Sequence, residues 1–116
     1  MRLVVIESPF AGDVERNLRY VRACMADCFR RGEAGFASHA LYTQPGVLDD
    51  TIPDERKLGM EAGFAWGEVA HLTAVYEDLG VSPGMAAGVA RAHFAGRPVV
   101  WRSLGGEWAS HERSFK

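Results

Sequence analysis

Residues 3–6 read Leu-Val-Val-Ile, an apolar, β-branched run with no alternation, closed by Glu7 and then Ser8-Pro9. A strand with one solvated face alternates polar and apolar side chains. An unbroken run therefore predicts a strand buried on both faces, the central position of a parallel sheet. Parallel strands need crossover helices, and the next segment supplies one. After Gly12 and a good N-cap residue, Asp13, the residues Val14, Leu18, Val21, Met25 and Cys28 recur at spacings of 4, 3, 4 and 3. That is a single apolar helical stripe. Arg16, Arg19, Arg22, Arg30 and Arg31 fall off it, and Gly32 follows as a C-terminal cap, which predicts a helix over 14–31.

The same alternation continues. A second parallel strand fits residues 34–38. Residues 39–52 show no period, and a loop of 14 residues is long enough for a compact domain to suggest function. Pro53 opens a second helix to 68, with Asp54 and Glu55 in its positive first turn. Gly59, Gly63 and Gly67 form a smooth ridge on it. Each glycine costs about 1 kcal/mol relative to alanine, so the ridge serves either tight packing on the sheet or a helix–helix contact in a homodimer. Residues 71–76 read as the third strand. Ser82-Pro83 starts a third helix that runs to 95, and 98–101 form a fourth strand whose Pro98 places it at an edge. Trp66 and Trp101 read as packing residues, and 103–116, with Trp108 and Phe115, as a loose or partner-dependent tail. The expected fold is α/β, with the strands in order 2-1-3-4.

A chain of 116 residues implies one domain. Its 13 Lys and Arg against 15 Asp and Glu leave a net charge of −2, which argues for neither a nucleic-acid polymer nor a membrane surface as partner. No stretch approaches the roughly 18 apolar residues of a membrane span, and the N-terminal apolar run is too short for a signal-peptide core, so a cytoplasmic location is expected. Cys24 and Cys28 read as small core residues. No metal-ligand spacing, G-x-G-x-x-G, P-loop or G-x-S-x-G motif occurs, and no cofactor or metal is expected.

In a sheet of order 2-1-3-4, ligands bind outside the carboxyl ends of the strands, where the order reverses between strands one and three. Residues 7–12 and 77–85 must meet there. Glu7 follows a buried strand, where a charge is costly unless used or paired; Arg19 or Arg102 would be the partner in the bland case. Glu7 and Asp78 are the candidate catalytic carboxylates. Ser82, Gly84 and Met85 start a helix whose free amides attract an anion, although Ser-Pro-Gly is also ordinary capping. Ser8, Phe10 and Gly12 border the same crevice. His39 and Tyr42 open the long loop beside it, placed to wall a planar ligand or to serve the fold.

Residues 8–13 (Ser-Pro-Phe-Ala-Gly-Asp), 37–44 (Ala-Ser-His-Ala-Leu-Tyr-Thr-Gln) and 82–87 (Ser-Pro-Gly-Met-Ala-Ala) resemble the nucleoside 2-deoxyribosyltransferase-like superfamily, most of all a branch of short uncharacterised members. The resemblance spans residues 2–102. It implies a small flavodoxin-like, Rossmannoid three-layer sandwich of four or five mainly parallel strands. It also implies a homodimer, here through the helix 53–68, and a nucleoside or nucleotide as ligand. The implied chemistry is cleavage or transfer of an N-glycosidic bond, in which a carboxylate attacks or stabilises the anomeric carbon as the base departs. Members carry that Glu on the third helix, at the position matching Gly88, and often an Arg in the first loop, where this chain has Ala11. The carboxylate has therefore moved to Glu7, or the chain is a catalytically silent nucleotide-binding module.

Overall fold

The computed structural model describes residues 1–108. Its elements are β1 (Arg2–Glu7), α1 (Val14–Arg30), β2 (Glu33–Phe36), α2 (Ser38–Leu41), α3 (Pro53–Gly67), β3 (Leu72–Tyr76), α4 (Pro83–Phe94) and β4 (Val99–Arg102). The four strands form one sheet in the order β2-β1-β3-β4, and every neighbouring pair is parallel. The expected α/β fold and strand order are both found. No helix among the described residues is long and apolar enough to cross a membrane.

β1 is central, as the unbroken run predicts, but its two faces are not equal. Val4 and Ile6 are buried on one face, whereas Val5 and Glu7 on the other are only partly buried. Val4 and Ile6 join Leu72, Ala74 and Tyr76 of β3 and Tyr20, Val21, Cys24 and Cys28 of α1 in one apolar cluster. The buried face of α1 is rotated from the expected stripe. Asn17, Tyr20, Val21, Cys24 and Cys28 are buried, while Val14 is exposed. Tyr20 lies at its centre because its hydroxyl reaches Asp78, which lets a polar aromatic side chain be fully buried. Cys24 and Cys28 are free, buried thiols.

The segment read as loop contains the single turn α2. It has no side-chain cap and is too short to show a period; backbone bonds from Ala40 and Leu41 to the Ala37 carbonyl hold it. α2 sits on α3, and the glycine ridge explains how. A Cβ at Gly63 would lie 2.6 Å from Ser38 Oγ, one at Gly59 would touch Leu48 at 3.4 Å, and one at Gly67 would crowd the Arg97 guanidinium at 3.1 Å. Each glycine of the ridge therefore faces an atom of its own chain.

Three further expectations change. Trp66 and Trp101 are exposed; Trp66 lies against Phe36 and donates to the Tyr42 hydroxyl at 2.8 Å. Residues 103–108 are not loose. Leu104 and Trp108 pack on the α1-side core, Trp108 edge-on to Tyr20 at 5.2 Å. The remainder of the expected tail, including Phe115, lies outside the described residues.

Candidate functional site

A cavity of about 250 Å³ opens between the second face of the sheet and helices α2, α3 and α4. β1 delivers Val5 and Glu7 to it, because alternate side chains of a strand share a face. Glu7 is paired in register with Val75 at the carboxyl end of the strands, the crevice the topology predicts. Its carboxyl group lies against the backbone of α4 at Gly88. A Cβ on residue 88 would overlap that carboxyl group, so glycine is required there for Glu7 to adopt its position.

Burial pushes the Glu7 carboxyl up to about 8, and the positive charge of Arg97 opposes the rise. Neither Arg19 nor Arg102 balances Glu7. Arg102 instead holds Glu33 with two 2.8 Å hydrogen bonds. Arg97 is fixed at the cavity wall: Nε donates to Thr73 Oγ1 at 3.0 Å and Nη1 to the Gly67 carbonyl at 2.7 Å.

The loop after β1 supplies the next wall. Asn17 of α1 donates to the carbonyls of Phe10 and Ala11 at 2.8 and 3.2 Å, which fixes Phe10 at the cavity. Phe10 meets the His39 ring edge-on at 6.5 Å. Ser8 is buried, and its Oγ lies 2.7 Å from His39 Nε2. Burial pushes the His39 imidazole down to about 4, so it is neutral at physiological pH.

Ser82, Gly84 and Met85 line the cavity at the start of α4. This helix end has less to offer an anion than its sequence suggests. Ser82 Oγ already accepts from the Met85 amide at 3.2 Å, and Pro83 has no N–H, which leaves the Gly84 amide free in the first turn. A cation compensates. Arg56 of α3 lines the same end and reaches within 3.5 Å of where a Gly84 Cβ would stand, while pairing with Asp50 at 3.3 Å.

Glu7, Ser8, Phe10, His39, Ser82, Gly84 and Met85 are thus brought together, and three other expected residues are not. Asp78 lies outside the cavity. It accepts hydrogen bonds from the Tyr20 and Ser103 hydroxyls and from the Leu104 and Gly105 amides. Burial acts to raise its proton affinity, but those donors hold the carboxyl below its ordinary range. It fastens the segment after β4. Tyr42 borders a smaller adjoining hollow, its hydroxyl taken by Trp66. Gly12 serves the turn into α1, at φ +98°, and its carbonyl accepts from Val14.

Arg56, Arg97 and Asp50 were missed. Arg97 precedes β4, at the end of the sheet opposite the crevice, and only its long side chain reaches the cavity. Arg56 and Asp50 belong to the aperiodic stretch and the helix after it, where no motif marks them. Among the described residues, no group of three or more His, Cys, Asp and Glu side chains is placed to hold a metal ion.

The site is thus a cavity on a parallel α/β sheet, with a carboxyl group of raised proton affinity at its wall. The chain belongs to the family described as "Domain of unknown function (DUF7768)", which it matches over residues 2–102. No protein of curated function matches it. In structure it is similar to a 2-deoxyribosyltransferase from the psychrotolerant bacterium Bacillus psychrosaccharolyticus, described as a biocatalyst for nucleoside synthesis. The TM-score is 0.62 at 19% identity, covering 90% of this chain and 74% of that one. At that identity the likeness establishes a shared fold.

Proposed function

We propose that the protein cleaves or transfers the N-glycosidic bond of a nucleoside or nucleotide, with Glu7 as the reacting carboxylate. The observation that carries this reading is the overlap between the Glu7 carboxyl group and the space above Gly88. In the enzymes that the sequence resembles, the acid comes from the helix. Here β1 brings a carboxyl group to the helix position that has lost its side chain. A glycosyl cation-like transition state is stabilised or captured by such a group. Attack needs the ionised form, which Arg97 favours through its charge. The cavity volume of about 250 Å³ lies just under the roughly 300–1,000 Å³ common for small-ligand sites. That suits one nucleoside-sized molecule better than a dinucleotide.

Within this reading, the base or sugar lies between Phe10, His39 and Met85. A phosphate or sugar hydroxyl sits at the Gly84 amide and Arg56. Asp78 drops out as a participant. A homodimer remains part of the proposal, but the exposed Leu58 and Trp66 of α3, rather than the glycines, are the side chains it would cover. Mass in solution tests it: one chain at micromolar concentration counts against a dimer.

The functional test is incubation with a panel of nucleosides and their monophosphates, with free base read by chromatography. Wild type should release base. Glu7→Gln, which keeps size but removes the charge, should lower turnover at least ~10²-fold, about 2.7 kcal/mol of transition-state stabilisation. Ligand binding without base release from any member of the panel would replace this reading with the silent binding module.

A further inference from the structure

The Ser8–His39 contact has features that a simple tether would not need. Both side chains face the cavity that holds Glu7, and Ser8 directly follows Glu7 in the chain. Their 2.7 Å contact is the hydrogen bond each side chain makes among the described residues. The Ser8 hydroxyl donates to His39 Nε2 if the proton of the neutral imidazole is on Nδ1, and the oxygen then keeps its lone pairs for a cavity molecule. The imidazole is also held from outside the pair. Gly63 allows α3 to approach Ser38, the residue before His39, and Phe10 meets the ring edge-on.

We infer that Ser8 and His39 form a proton relay that activates the water completing hydrolysis at this cavity, an inference that rests on the glycosyl reading of Glu7. In that step, a water oxygen forms a bond to the anomeric carbon as the bond from that carbon to the Glu7 carboxylate breaks. The electron pair of the broken bond returns to the carboxylate. The water proton passes to Ser8 Oγ while the Ser8 proton passes to His39 Nε2, and the imidazolium later releases it to solvent. His39 acts through Ser8 and is a positioning and proton-accepting residue; Ser8 is the group that touches the water. A neutral imidazole is the form that can accept a proton; burial disfavours the imidazolium, so the proton rests on His39 only briefly before it passes to solvent. The relay serves an acceptor that loses a proton as it attacks, which water does and an incoming base with a ring N–H also does.

The experiment follows base release by rapid quench for wild type, Ser8→Ala and His39→Gln, on a deoxynucleoside monophosphate that the wild type cleaves. Both variants should still release about one base per site in the first turnover. Their steady-state rate should then fall about 10²-fold, the usual scale for general-base assistance. Added imidazole should restore turnover to His39→Ala, an effect that a purely structural role for the ring would not produce. Ser8→Ala removes one oxygen from a buried site and keeps the test alive if the His39 variants misfold. Unchanged steady-state turnover in Ser8→Ala overturns the relay. Burst and steady state falling together, with no rescue by imidazole, overturns it as well. A wild type that releases no base from any nucleoside or nucleotide overturns the Glu7 reading, and the relay with it.

Discussion

The two faces of the sheet are built on different plans. Toward α1, Val4, Ile6, Leu72, Ala74 and Tyr76 meet Tyr20, Val21, Cys24 and Cys28 in a closed apolar core. Toward α3 and α4, Val5 and Glu7 border a cavity, and the nearest helix residue over Glu7 has no side chain at all. No residue of α3 or α4 joins the core cluster. Val75 of β3 and Met85 and Ala92 of α4 are also fully buried outside that cluster, so the second face is packed as well, and its cavity is where a group that opposes folding is carried. Adjacent residues of one strand, Ile6 and Glu7, serve the two purposes.

The largest expected effect compares neighbouring side chains. Ile6→Ala should cost about 2–5 kcal/mol, the range for emptying a packed core site. Val5→Ala, facing the cavity, should cost roughly 1 kcal/mol, since its methyl groups are only partly removed from water. Denaturant midpoints measure both, and equal losses would erase the distinction between the faces.

Next comes the acid on the open face. Glu7 has a folded-state pKa raised to about 8 from an ordinary 4.5. The folded protein thus holds this proton more tightly than the unfolded chain. The favourable contribution is fully present below 4.5 and is lost as pH rises through 8. Glu7→Gln should melt close to wild type at pH 4 and be the more stable at pH 9, by at most about 5 kcal/mol, since each pH unit between the two values is worth about 1.4 kcal/mol. If the ionised group reacts, kcat/KM should climb with pH, reach half its maximum near 8 and level off above it. A decline over that range would make Glu7 a proton donor instead.

A smaller effect separates Asp78 from Glu7. Asp78→Asn removes charge from a site with hydroxyl and amide donors from Tyr20, Ser103, Leu104 and Gly105. It should cost about 1–3 kcal/mol of stability and leave base release unchanged. A loss of turnover without a loss of stability would return Asp78 to the site. The smallest effect concerns the α4 end of the cavity. Arg56→Gln should weaken a nucleoside monophosphate about tenfold, roughly 1.4 kcal/mol, and the nucleoside less. Equal weakening of the two would remove the phosphate from that position.

Local pattern made the architecture legible. The run at 3–6, the stripe in α1 and the capping residues Asp13 and Ser82 led to the right elements and the right strand order. Glu7 stood out for the same reason, since a carboxylate directly after a buried strand violates an expectation that the rest of the strand satisfies. Asp78 lies apart from the cavity, and position in the crevice says nothing about who already occupies a carboxylate. Its donors come from Tyr20 and from residues 103–105, all far from it along the chain. The glycine ridge announced a close approach without naming the approaching group, which is Ser38 at one position and Arg97 at another. Arg56 and Arg97 were hidden because long side chains reach a site from places that topology assigns elsewhere.

The overlap at Gly88 also constrains how such a site can change over time. Positions 7 and 88 share one volume, so a side chain gained at 88 turns the Glu7 carboxyl aside before it contributes anything of its own. An acid cannot be handed from strand to helix by adding the new copy first and deleting the old one later, the route by which redundancy normally protects an essential group. With both side chains present the site is crowded, and with neither it is empty, so a substitution at either position has meaning only when the other is read beside it.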